Sequence, residues 1–208
     1  MTDRPRVALA THNPHKLEEL RRIVAPAAPE LEVVGLADLP AYPEPAETEA
    51  TFEANALVKA RACARATGLP ALADDSGLCV DVLNGMPGVR SARWAGPDAT
   101  DAENNALLLR QLADVPLRRR TARFVCAAAL VLPSGVEYVR RGELTGTLIG
   151  ELRGQNGFGY DPMFVAAGQD RTNAELTAAE KDAISHRAKA LRAMVPVLVH
   201  ALATRGGG

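Results

Sequence analysis

Two long runs of strand-forming residues, Arg123 to Leu132 and Val136 to Thr147, are separated only by Pro133-Ser134-Gly135. That separation leaves no room for a crossover helix, so the two runs must pair antiparallel as a hairpin. Elsewhere strands and helices alternate. Val7 to Ala10 is a short apolar strand passing straight into a helix, with Asn13 at the cap, Pro14 at the first helical position, and Leu17, Leu20, Ile23 and Val24 on the buried face. Leu31 to Leu36 reads as a second strand. Strand-helix alternation builds parallel pairs, and the hairpin then makes the sheet mixed, so the fold class is α/β with helices flanking a mixed sheet.

Between these anchors, Pro40 to Pro45 reads as an extended loop, and Thr51 to Thr67 as a helix closed by Gly68. Ala71 to Ala73 and Leu78 to Leu83 read as strand segments on either side of an acidic turn, Asp74-Asp75-Ser76-Gly77. Thr100 with Glu103 and Thr177 with Glu180 have capping-box spacing; the first opens a helix to about Ala113 and the second a short helix. After the glycine-rich stretch Gly154 to Gly159, Asp161 to Val165 reads as a strand. Ala188, Leu191, Val195, Leu198 and Leu202 form the stripe of a last helix, with Ser185 as a candidate cap and a kink expected at Pro196.

A chain of 208 residues, 47% hydrophobic, buries a substantial core without disulfides or a structural metal. Its 24 Lys and Arg against 25 Asp and Glu give no broad positive field for nucleic acid or anionic membrane, so the expected partner is a small molecule. Cys63, Cys79 and Cys126 fit neither a disulfide framework nor a zinc site, and the first apolar stretch is too short for a signal-peptide core. The expectation is a soluble cytoplasmic protein, one domain over residues 1–204 with a flexible tail at 205–208.

Four polar clusters could carry chemistry. Thr11-His12-Asn13-Pro14-His15-Lys16 places backbone N–H groups and a lysine at a helix start, which suits an anion such as phosphate; ordinary capping is the alternative. Asp74-Asp75-Ser76, with Glu44, Glu47 and Glu49 upstream, gathers carboxylates that a Mg²⁺ ion would neutralise, while a solvated turn is the alternative. Gly157-Phe158-Gly159-Tyr160-Asp161 alternates glycine with aromatics, so backbone and ring faces can approach a flat base and Asp161 can accept from ring N–H groups; a tight bend with core aromatics is the alternative. Lys181, His186 and Arg187 offer donors, with Lys181 and His186 about 140° apart on a continuous helix unless the chain breaks at Ser185. His12, His15 and His200 have no zinc or dyad spacing.

Taken in order, ATHNPHK, ETEATFEANALVKARACA, LADDSGLCVDVLNGMPGVRSARWAG, GFGYDPMF and AELTAAEKDAISHRAKAL closely resemble the inosine triphosphate pyrophosphatase family, whose bacterial members are called XTP/dITP diphosphatases. The resemblance spans nearly the whole chain. It implies a two-lobed α/β fold around a long mixed sheet with the active-site cleft between the lobes, a homodimer, and dependence on Mg²⁺. It also implies hydrolysis of dITP, ITP or XTP between the α and β phosphates. The family's phosphate-binding pattern falls on Thr11, Asn13 and Lys16, and its helix lysine on Lys59. Its metal-linked carboxylates fall on Glu47 and Asp75, with Asp75 also the proton acceptor and Ser76 touching substrate. Its base pocket falls on Phe158, Gly159, Tyr160 and Asp161, and its other nucleotide contacts on Lys181, His186 and Arg187. His12 stands where a smaller residue is often found. Two other readings share parts of this pattern: a pyrophosphatase for modified pyrimidine nucleotides, and a nucleotide sensor without turnover. The acidic residues argue against the sensor, since carboxylates near phosphates repel without a metal.

Overall fold

The computed structural model describes residues 4–203, with the side chains of His15 and Ala203 outside the description. The tail expected at 205–208 also lies outside the described residues. In chain order the elements are β1 (Arg6–Leu9), α1 (Pro14–Val24), β2 (Glu32–Gly35), α2 (Phe52–Thr67), β3 (Ala71–Val80), α3 (Asp101–Gln111), β4 (Thr121–Val131), β5 (Glu137–Leu148), β6 (Phe164–Ala166), α4 (Ala178–Ile184) and α5 (His186–Ala203). The strands form one six-stranded sheet in the order β2-β1-β3-β4-β5-β6. β1 is parallel to β2 and to β3, with Val7 opposite Val33 and Ala8 opposite Ala71, whereas β6 lies antiparallel to β5 with Thr147 opposite Val165. The sheet is therefore mixed, as the hairpin requires. Leu132 N–H donates to the Val136 carbonyl at 2.9 Å and Gly135 N–H to Leu132 at 2.8 Å, closing the turn between β4 and β5.

Local signals set most helix ends. Thr51 caps α2 by accepting from Ala54 N–H, and Gly68 closes it with its N–H on the Ala64 carbonyl. Both capping boxes form at α3 and α4, where Glu103 and Glu180 return a carboxylate to the cap residue. Ser185 takes an extended conformation (φ −62°, ψ 150°), ending α4 before α5 begins at His186. The break frees Lys181 and His186 from a common helical spacing.

Two expectations fail, both where turn chemistry met buried strand. Asp74-Asp75-Ser76-Gly77 is not a turn but the middle of the continuous strand β3, which ends at Val80 before a 3₁₀ turn at Asp81–Leu83. Burial explains it: Asp74 and Asp75 are 5% and 7% exposed, and Lys16 and Arg187 at Asp74 and the Asn55 amide at Asp75 replace the water that a turn would have offered. Asp161 to Val165 is likewise not one strand, because Asp161–Met163 forms a 3₁₀ turn led by Pro162 and only Phe164–Ala166 is extended.

The chain divides into two compact units. One takes in the described residues through Asp75, with Cys126–Gly142 and those from Arg187 onward; the other is Ser76–Val125 with Glu143–His186. In the first, Leu20 and Val24 of α1 and Leu191, Met194 and Leu198 of α5 pack on Val7, Leu9, Leu72 and Leu130 of the strands. In the second, Leu108 and Leu112 pack with Leu78, Val80, Phe124, Leu148, Tyr160 and Phe164. Each core is a fixed platform for one group of polar residues. No helix of the described residues is long and apolar enough to cross a membrane.

Candidate active site

Successive side chains of a strand point to opposite faces, and β3 uses that alternation to give Asp74 and Asp75 different surroundings. Asp74 Oδ2 accepts from Lys16 Nζ at 2.9 Å and from Arg187 Nε at 3.2 Å, and Arg187 Nη1 donates to Glu19 at 3.3 Å. Lys16 and Glu19 lie three residues apart on one face of α1, so the four groups form an alternating chain of charge. Burial by itself would raise the Asp74 carboxyl, but Lys16, Arg187 and Lys59 outweigh it and hold Asp74 far below the usual carboxylate range. The Cys126 thiol, 3.9 Å from Asp74, is pushed up by burial and by that carboxylate, so it remains protonated and inert.

Asp75 meets α2 instead. Asn55 Nδ2 donates to Asp75 at 3.0 Å, while Asn55 Oδ1 accepts from Glu49 N–H at 3.0 Å, fixing the loop that carries Glu47. One turn further along α2, Lys59 Nζ donates to Glu47 at 2.6 Å. Burial raises the Asp75 carboxyl; Lys59 and the Asn55 amide oppose that, Glu47 and Asp74 add to it, and the net shift is upward. Burial would lower the Lys59 ammonium, but Asp74, Glu47 and Asp75 prevail and raise it.

The loop before α1 behaves as a helix start. Thr11 Oγ1 accepts from Asn13 N–H at 3.2 Å, and the Asn13 carbonyl accepts from Lys16 and Leu17, which leaves Pro14 at the first helical position. His12, 74% exposed at its side chain, hydrogen-bonds the Glu44 carboxylate and so ties this loop to the acidic segment. The His15 side chain lies outside the described residues.

In the second unit, Asp161 gathers the loop that precedes it. Its carboxylate accepts from Phe158 N–H at 2.9 Å, from Asn173 Nδ2 at 3.1 Å and from Lys181 Nζ. Gly157, at φ 76°, lies against that carboxylate: a Cβ there would stand 2.2 Å from Asp161 Oδ2. Asp101 and Asn105 of α3 hold the two ends of Gly159, accepting from its N–H at 2.6 Å and donating to its carbonyl at 2.9 Å. Lys181 Nζ sits 4.9 Å from the centre of the Phe158 ring, which is 44% exposed. The Tyr160 ring is in the core with its hydroxyl donating to the Ser91 carbonyl, so Phe158 is the aromatic of this loop with an open face. His186 is buried and stacks on Phe124, centroids 4.9 Å apart and planes 13° from parallel. Ser76 is half-buried on β3.

The two units thus collect the expected residues as two sets. Thr11, His12, Asn13, Lys16, Glu47, Lys59 and Asp75 fall in the first, and Phe158, Gly159, Tyr160, Asp161, Lys181 and His186 in the second. Arg187, expected beside Lys181 and His186, belongs to the first unit, where its guanidinium bonds Asp74 and Glu19. Sequence reasoning passed over Asn55 and Glu19, although each lies one helical turn from a lysine it had singled out, Lys59 and Lys16, and that spacing was the available signal. Asn173 lies in the capping-box spacing Thr172 to Glu175, which marks the turn but not the bond to Asp161.

The comparisons with known proteins bear on this pattern directly. A family model described as the Ham1 family matches residues 7–197. This chain belongs to the Ham1 family. Two relatives named dITP/XTP pyrophosphatase, from Frankia alni and Nocardia farcinica, are 63% and 60% identical to it. The first alignment covers 93% of this chain and 96% of the relative, the second 96% and 97%. A Ham1 structure from Coxiella burnetii superposes with TM-score 0.86 at 41% identity, covering 94% of this chain and 99% of that one. A structure named nucleoside-triphosphatase / dITP/XTP pyrophosphatase, from Mycobacterium abscessus, superposes with TM-score 0.76 at 54% identity, covering 92% and 99%. The Ham1 fold is therefore shared along nearly the full chain.

Proposed function

We propose that this Ham1 chain hydrolyses the triphosphates of non-canonical purines, dITP, ITP and XTP, between the α and β phosphates, giving the nucleoside monophosphate and pyrophosphate. The names of the Frankia and Nocardia relatives support the substrate class. The observation that carries the chemistry is Asp75, a buried carboxyl raised above its ordinary range and set beside Glu47 and Lys59. A carboxylate of raised pKa is the stronger base, and Asp75 is assigned the proton of the attacking water. Lys16 and Lys59 neutralise phosphate charge and stabilise the leaving pyrophosphate, with Thr11, His12, Asn13, Pro14 and His15 lining the start of α1 for the same end of the substrate.

Asp75 and Glu47 suit Mg²⁺. Both offer hard oxygen donors, and the part of the Asp75 shift that comes from Glu47 and Asp74 is a repulsion that a divalent cation relieves. Among the described residues no group of three or more His, Cys, Asp or Glu is disposed to hold a metal, so water and substrate phosphates would have to complete the shell. When bound, Mg²⁺ supplies charge neutralisation at the phosphates.

At the base end, Phe158 offers a ring face, and Lys181, His186 and Arg187 offer donors to the carbonyl that hypoxanthine and xanthine carry where adenine has an amine. An adenine amine would leave those donors facing a donor, at a cost of about 1–3 kcal/mol per unmatched buried group. Ser76 and Gly159 complete the contacts. The chain works in the cytoplasm, in keeping with its three free, buried cysteines. It works as a homodimer, with Met86, 38% exposed, and Trp94 in the contact.

A panel of ITP, dITP, XTP, ATP, GTP and a modified pyrimidine triphosphate, with and without Mg²⁺ and scored separately for pyrophosphate and orthophosphate, tests this reading. Mg²⁺-dependent pyrophosphate release from ITP and XTP is expected. Orthophosphate as the only product, or preference for the pyrimidine, would overturn it.

A further inference from the structure

We propose that Asn173 is a positioning residue that fixes the Asp161 carboxylate and, through it, Lys181 and Phe158, and so sets the base preference. The inference rests on the reading of Lys181 and Phe158 as base contacts.

Asn173 is 1% exposed and opens the 3₁₀ turn Asn173–Glu175. That turn is held from two directions. Thr172 Oγ1 donates to the Arg153 carbonyl at 2.8 Å, and the N–H groups of Gln155 and Asn156 donate to the Ala174 carbonyl at 3.1 and 2.9 Å. Gly154, at φ 85°, allows the approach, since a Cβ there would stand 2.3 Å from the Ala174 carbonyl carbon. From this frame Asn173 Nδ2 reaches Asp161 Oδ1 at 3.1 Å, while Oδ2 takes Phe158 N–H and Lys181. The carboxylate is thus divided: one oxygen is occupied by Asn173, so the other is turned toward Phe158 and Lys181.

The other end of the same amide sharpens the point. Asn173 Oδ1 is buried and has no hydrogen-bond partner among the described residues. A buried carbonyl left unpaired is costly, and an apolar side chain of similar size would avoid that cost altogether. The amide therefore has its use at the donor end, in a bond to an ionised carboxylate, the stronger kind of hydrogen bond. Without it Asp161 is free to rotate its oxygens, and Lys181 and the Phe158 peptide move with them.

Two variants test this in the full-length protein. Asn173→Leu keeps the branched shape, though not the smaller volume, and removes the donor; Asn173→Asp keeps the size and puts a second carboxylate beside Asp161. With Asn173→Leu the ratio of kcat/KM for ITP over ATP should fall about three- to tenfold at every pH. With Asn173→Asp, which keeps the side-chain size but puts an acceptor where the donor was, it should fall at least as far. A packing role would spare Asn173→Asp, whose side chain fills the same space. Hydrogen exchange at the Phe158 amide supplies a readout apart from activity: it should be severalfold faster in both variants. Unchanged Phe158 exchange in a folded Asn173→Leu protein overturns the positioning role. If the wild type shows no preference for ITP while Phe158 exchange responds as stated, the positioning role stands and the base-contact reading falls.

Discussion

Asp74 and Asp75 are adjacent in one strand, and their carboxyl groups are driven in opposite directions. Asp74 bonds Lys16 and Arg187 and is held below the ordinary range; Asp75 bonds the neutral amide of Asn55 and is pushed above it. One carboxylate is an anchor for cations, and the other meets a neutral partner.

Asp74→Ala should be strongly destabilising. It strands the buried Arg187 and the mostly buried Lys16 without their shared anion, a loss of about 3 kcal/mol or more. In a chain of this size the melting temperature should fall by roughly 6–12 °C, measured by calorimetry. Because the folded pKa of Asp74 is depressed, its contribution is complete at neutral pH, starts to fade as pH drops into the ordinary carboxylate range, and is lost only well below it. The difference between wild type and Asp74→Ala should accordingly shrink on acidification.

Asp75→Asn should abolish pyrophosphate release while leaving the fold at least as stable. Asn55 can still donate to an amide oxygen at this position. The folded pKa of Asp75 is raised, so the folded state binds the proton more tightly than the unfolded one, and stability falls as pH rises from the ordinary aspartate value through the raised one. Removing the charge should raise the melting temperature at pH 7 and have little effect at pH 3. Near-normal turnover by the folded variant would refute the assignment of Asp75 as proton acceptor.

Lys16→Ala and His186→Ala should separate the two ends of the substrate. With Lys16 at the phosphates, as proposed, its loss should lower kcat/KM for ITP and ATP by a similar factor. His186→Ala should lower the ratio between them about three- to tenfold, the worth of one buried hydrogen bond. Arg187→Ala should resemble Asp74→Ala in stability, because it leaves Asp74 and Glu19 without their shared guanidinium. The reverse pattern for Lys16 and His186, in steady-state kinetics, would mean that the ends are misassigned.

Gly157→Ala should impair the loop beyond the usual cost of a left-handed alanine. The added methyl meets Asp161 Oδ2 at 2.2 Å and Lys181 Nζ at 3.1 Å, and three donors hold that carboxylate in place. The KM for ITP should rise at least about threefold with global melting shifted by less than about 5 °C, since the clash is confined to the loop.

Sedimentation at micromolar concentration should give a dimer, and Met86→Glu should shift it toward monomer by placing a charge on apolar contact surface. A wild-type monomer under those conditions would remove the homodimer from the reading.

Features decided within one turn of helix or one hairpin were legible in the sequence. Thr100 with Glu103 and Thr177 with Glu180 cap their helices, Thr51 and Gly68 bound α2, and Ser185 breaks the chain, because each depends on neighbours a few residues away. The fold class followed from the same local signals, and the order of the polar clusters carried the family resemblance. The state of Asp74 and Asp75 did not follow. Asp-Asp-Ser-Gly is turn chemistry for a chain in water, and it becomes a buried strand only when cations arrive from positions 58 and 113 residues away to replace that water. Arg187 meets Asp74 and Glu19, 113 and 168 residues distant, and Asn173, although it lies in the local capping box of Thr172 and Glu175, is brought to Asp161 by the fold. Charge inside a protein is settled by whichever partners the fold delivers, and those partners are set by tertiary packing, which no local window of sequence contains.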